Sequence, residues 1–158
     1  MIQRVQTLYL GLAIIMLFVV TFGVTLFSFV NETSRFSFNA YGILETNIKT
    51  GEKIGFESFP LYIGTIALSL LCVIAIMSYK NLARQYKLGR TIFGLYFISL
   101  VGILVLSIYG DSMIEAKTTA REMGLGFFLF VAGFPFTFLA NTGIKRDKRL
   151  LESLDRLR

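Results

Sequence analysis

Charged residues are absent from four long stretches of this chain, and no other feature restricts its fold so severely. Between Arg4 and Glu32 lie 27 uncharged residues, between Glu57 and Lys80 lie 22, between Arg90 and Asp111 lie 20, and between Glu122 and Lys145 lie 22. A charge at the centre of a bilayer costs about 2.5 to 3.5 kcal/mol or more, and about 20 apolar residues in a helix cross the hydrocarbon. Each stretch is long enough at roughly 1.5 Å per residue, the first with length to spare. An apolar content of 54% against 16% charged, with a mean hydropathy of +0.67, agrees with a membrane chain rather than a soluble domain. The pattern predicts an all-α membrane protein, a four-transmembrane-helix bundle. Its spans fall at about residues 7–30, 60–79, 91–110 and 124–143, within a membrane domain 1–143.

The first stretch is too long for a cleaved secretory signal, whose apolar core is about 7 to 15 residues. Phe27, Ser28, Phe29 and Val30 continue the run into Asn31, and no small-residue cleavage site follows closely. Direction follows from lysine and arginine: the amino end, residues 80–90 and residues 144–158 carry 1, 4 and 6 of them, against 5 on the two alternate segments. By the positive-inside rule both ends face the cytoplasm.

In the external segment 31–59, Phe36, Phe38 and Tyr41 alternate with polar neighbours, and residues 54–59 alternate again beyond the polar stretch with Thr50 and Gly51. A small external β-hairpin is expected there. Pro60 suits the first turn of the second span, with Ser58 or Phe59 as its cap. The inner segment KNLARQYKLGR is expected to prolong the second helix until Gly89 breaks it. Residues 144–158, IKRDKRLLESLDRLR, read as a cytoplasmic amphipathic helix with Leu150, Leu151, Leu154 and Leu157 on one face. Glu152 and Arg156 are spaced for an ion pair. Lys145, Arg146, Lys148 and Arg149 supply charge for anionic lipids of the inner leaflet; a protein partner would suit the same segment equally well.

Catalytic, cofactor-binding and metal sites are not expected. Histidine is absent, Cys72 is the single cysteine, and the four charge-free stretches offer no base to activate a serine. Thr21, Thr25, Ser69, Ser99, Ser107 and Thr137 read as interhelical hydrogen-bonding groups, and Pro135 as a fixed kink. The glycines of the spans read as sites of close helix approach. Asp111, Glu115 and Glu122 read as solvated surface.

The amino-terminal MIQRVQTLYL, the basic inner loop and the stretch from Asn141 through IKRDKRLLESLDRLR give the whole chain a resemblance to a family of small four-span bacterial inner-membrane proteins known only as a domain of unknown function. The resemblance implies a location and a fold and no activity. The function expected is a noncatalytic accessory or scaffold subunit of a larger inner-membrane complex, with protein export or envelope biogenesis machinery compatible. A small passive carrier or channel for a lipophilic or small molecule is the alternative. The expected partners are the lipid bilayer with its anionic inner-leaflet lipids and other membrane protein subunits, without nucleic acid or cofactor.

Overall fold

A computed structural model describes residues 3–110 and 119–155. Helices α1 (Gln3–Thr21), α2 (Leu61–Met77), α3 (Leu82–Tyr109) and α4 (Leu125–Asp155) are joined with strands β1 (Phe27–Val30), β2 (Ser34–Phe38), β3 (Gly42–Asn47), β4 (Lys53–Ser58) and β5 (Ala120–Met123). The buried positions of the helices recur at alternating steps of three and four. In α4 they are Gly126, Phe130, Gly133, Thr137, Ala140, Ile144 and Asp147; in α1 they are Gln6, Leu10, Ala13, Leu17 and Val20, with Thr21 buried beside the last of them. Such spacing makes a narrow seam that stays facing a neighbouring helix, as in coiled coils and four-helix bundles. Accordingly α1 packs against α2 and α4, and α3 packs against the same two from the other side.

Small residues set the closeness of these contacts. A Cβ on Gly133 would lie 2.2 Å from the Tyr96 hydroxyl oxygen, and one on Gly143 would lie 2.9 Å from Gln6 Cγ. The outward faces remain apolar, with Phe97, Ile98 and Val105 on α3 and Phe128 and Phe138 on α4 exposed. Among the described residues, three helical segments are long and apolar enough to cross a membrane: Leu61–Lys80, Leu82–Tyr109 and Leu125–Leu150. The apolar part of α1, Val5–Thr21, is shorter.

The first span expected at 7–30 is corrected by this arrangement. Helix α1 ends at Thr21, Gly23 takes a left-handed φ of 92° and donates its N–H to Val20 O, and the chain continues extended into β1. Glycine is the residue that adopts this turn without strain, and the β-branched Val24 and Thr25 that follow favour extended backbone. The extended segment docks on the start of α4. Gly126 N–H donates to Thr25 O at 2.9 Å and Gly124 N–H to Leu26 O at 2.8 Å. Cβ atoms on Gly124 and Gly126 would sit 2.1 and 2.8 Å from Thr25 O, so only glycine permits this approach.

In place of a lone hairpin there is a five-stranded antiparallel sheet of order β4-β3-β2-β1-β5. The two alternating segments do form strands, β2 and β4, but they do not pair with each other. Strand β3, whose Gly-Ile-Leu-Glu-Thr-Asn does not alternate cleanly, stands between them. Phe27, Phe29 and Phe38 of the sheet join Leu17, Val20, Tyr96, Ile103 and Phe130 of the helices in one core. Phe27 and Phe38 stack at 4.6 Å, and Phe29 meets Phe38 edge-on at 5.5 Å. The sheet therefore covers the end of the bundle where α1 and α3 finish and α2 and α4 begin.

At the opposite end, a single 3-10 turn, Ser78–Lys80, separates α2 from α3. Asn81 caps α3 by accepting from Arg84 N–H at 3.0 Å. The basic segment thus opens the third helix rather than prolonging the second, and Gly89 lies unbroken within it. Pro60 is the cap of α2 rather than its first residue, and Tyr62 N–H is satisfied by Ala40 O at 2.8 Å. Residues 144–155 are continuous with α4, which also runs through Pro135. One residue before Val131, whose carbonyl loses its helical donor to Pro135, Phe130 O accepts from the Tyr96 hydroxyl at 2.9 Å.

Candidate functional site at the bundle end opposite the sheet

The seam positions change character at this end. Gln6 of α1, Gln85 of α3 and Asp147 of α4 take the place of aliphatic residues while remaining 2%, 3% and 7% exposed. Gln6 Nε2 donates to Asp147 Oδ2, joining α1 to α4. Asn141 Oδ1 lies 3.1 Å from where a Gly89 Cβ would be, so the absence of a side chain there admits it between α3 and α4. Gln6 Oε1, Gln85 Oε1, Asn141 Oδ1 and Asp147 Oδ1 are buried without a hydrogen-bond partner among the described residues.

Burying a carboxylate costs several kcal/mol, offset only by good local partners. A shift of α4 along α1 would strip Asp147 of its glutamine donor, so this layer makes the register of the two helices specific. Among the described side chains it offers acceptors and one carboxylate, but no nucleophile beside a base. No cluster of three or more His, Cys, Asp or Glu side chains suited to a metal occurs among the described residues.

On the outside of the same turns, Lys145, Arg146 and Arg149 are exposed and, with Thr142 and Leu150, line an open groove of about 370 Å³. Lys148 points elsewhere: its Nζ is 3.5 Å from Glu152 Oε1 and 5.5 Å from the centre of the Tyr86 ring. Of the expected leucine face, Leu150 is exposed; for Leu151 and Leu154 the description covers the backbone alone, and Leu157 lies outside the described residues. Among the described side chains, those turned into the bundle along these turns are Ile144 and Asp147. Glu152 pairs with Lys148, while Arg156, its expected partner, lies outside the described residues. At the sheet end Glu122 pairs with Arg35 at 3.1 Å, and Asp111 and Glu115 lie outside the described residues.

Sequence reasoning missed Gln6 and Gln85 because glutamine carries no charge to mark it, and Asp147 because it lies beyond the fourth charge-free stretch. A signal existed: the three-and-four spacing from Gly126 through Ile144, extended by one step, falls on Asp147. Residues 2–157 match the family described as Domain of unknown function (DUF4293), and the chain belongs to that family. No curated protein matches the chain.

Proposed function

We propose that this member of a family of unknown function is a noncatalytic accessory or scaffold subunit of a larger bacterial inner-membrane assembly, with four spans and both ends of the chain on the cytoplasmic side. The observation that carries this reading is the continuity of α4, 31 residues from the apolar layer into the charged one. At 1.5 Å per residue it measures about 46 Å, roughly 16 Å more than the hydrocarbon requires. Its last turns are tied to α1 through Gln6 and Asp147, and Lys148 over Tyr86 ties them to α3. A helix held in this way presents Lys145, Arg146, Arg149 and Leu150 at a constant height and angle to the membrane, as a docking post must.

The fourth span rests on α1. Gln6 meets α4 at Gly143 and Asp147, and Thr21 donates to Thr65 near the start of α2 at 2.7 Å, so α1 joins the same two levels as the long helices. After the turn at Phe22 and Gly23, residues 24–26 complete the depth in extended form with their backbone docked on α4, as irregular backbone at membrane depth requires. The eleven-to-five division of basic residues supports the orientation. Close packing at the bundle axis, Tyr96 against Gly133 and Asn141 against Gly89, favours a subunit over a carrier.

Purification of the tagged protein in mild detergent, followed by mass spectrometry, should return a reproducible set of stoichiometric partners. A lone protein, or a homo-oligomer with lipid in its core, would overturn the subunit reading. Reporters at Lys80 and at Gly51 should read cytoplasmic and external respectively, and a cytoplasmic signal at Gly51 refutes the four-span arrangement.

A further inference from the structure

The basic residues at the end of α4 do not share one environment. Lys148 is engaged by Glu152 and the Tyr86 ring, whereas Lys145, Arg146 and Arg149 face a single groove together with Thr142 and Leu150. Among the described residues no carboxylate lines that groove: Asp147 is turned inward to Gln6, and Glu152 pairs with Lys148. Three cations therefore converge on one face, and the intervening acids are removed from it by contacts on the other faces of the helix.

Depth identifies what such a face meets. Lys145 is the first charged residue after 22 uncharged ones, which sets it at the boundary between hydrocarbon and headgroups. From Thr142 to Leu150 the helix rises about 12 Å, enough to cross a headgroup layer of about 5 to 7 Å and reach past it. Arginine forks and a lysine ammonium suit phosphate oxygens, a threonine hydroxyl adds a donor, and Leu150 with the aliphatic stems of the basic residues forms an apolar wall.

We infer that the groove of Thr142, Lys145, Arg146, Arg149 and Leu150 seats the headgroup phosphate of an anionic phospholipid of the cytoplasmic leaflet. The inference rests on the orientation proposed above but not on the existence of a partner complex. Lipid seated there would join the rigid end of α4 to the leaflet and hold its height.

The test is native mass spectrometry of the full chain from nanodiscs holding equal amounts of phosphatidylglycerol and phosphatidylcholine. The wild-type protein should retain phosphatidylglycerol at least tenfold over phosphatidylcholine, and free inorganic phosphate at millimolar concentration should not displace it. Combining Lys145→Gln, Arg146→Gln and Arg149→Gln should reduce that preference at least fivefold, whereas Lys148→Gln should leave it within twofold. Equal retention of the two lipids by the wild-type protein overturns the inference whatever the variants do. So does an equal loss in Lys148→Gln, which would mean diffuse charge rather than a site, and so does displacement by free phosphate. A triple variant that keeps its lipid but loses a co-purifying protein would assign the face to a protein partner instead. Absence of any co-purifying protein, with lipid selectivity intact, would refute the subunit reading and leave the lipid site standing.

Discussion

Removal of the two groups of the Gln6–Asp147 contact, singly and together, separates a register-setting polar layer from a mere pair of tolerated polar residues. Gln6→Met keeps the length of the side chain beside Gly143 but leaves the buried Asp147 carboxyl group without its donor, a loss of about 1 to 3 kcal/mol. Asp147→Ala leaves the Gln6 amide stranded and should cost about 1 to 3 kcal/mol. Acting independently, the two changes would sum to about 2 to 6 kcal/mol. The double variant strands neither group. Because Gln6 Oε1 and Asp147 Oδ1 already lack partners, removal of both residues should cost only about 1 kcal/mol. The predicted coupling is therefore at least about 1 kcal/mol, within the range for residues in contact. Equilibrium unfolding in mixed micelles with increasing dodecyl sulfate, followed by helical circular dichroism, measures all four corners of the cycle. Additivity within about 0.5 kcal/mol would refute the reasoning and mean that the two side chains do not meet in the folded bundle.

Gly133→Ala should destabilise by about 1 to 3 kcal/mol in the same assay, because the new methyl collides with the Tyr96 hydroxyl and displaces its bond to Phe130 O. Gly94→Ala, which meets nothing within 4 Å, should be neutral or gain up to about 1 kcal/mol. Thr21→Val should cost about 0.6 to 1.7 kcal/mol through loss of the hydrogen bond to Thr65, and adding Thr65→Val should then cost less than Thr65→Val does alone, its bond to Tyr62 O being the part that remains to lose. Reversal of the half-exposed Arg35–Glu122 pair, by Arg35→Glu with Glu122→Arg, should leave stability within about 1 kcal/mol, measured by the same unfolding curves.

What the sequence determined by itself is the set of apolar segments and their flanking charges, since the cost of a charge in hydrocarbon is local and read residue by residue. Three long apolar helices stand where the charge-free stretches put them, and alternation around Phe36 and Phe56 marked β2 and β4. Tertiary structure decided the rest. Helix and strand are equally apolar in residues 22–30; Gly23, Val24 and Thr25 lean toward a turn and extended backbone, and the docking of Thr25 and Leu26 on Gly126 and Gly124, with β2 and β5 on either side of β1, fixes that form. Pairing partners in a sheet are contacts between distant segments, so β3 between β2 and β4, and β5 from beyond α3, carry no local signature. For Asp147 the three-and-four spacing marks the position but neither its burial nor its partner. In the sequence it is one acid in a basic amphipathic run, solvated like its neighbours; burial follows only when α1 lays Gln6 across from it, because the energy of a buried carboxylate depends on the partner that the fold supplies.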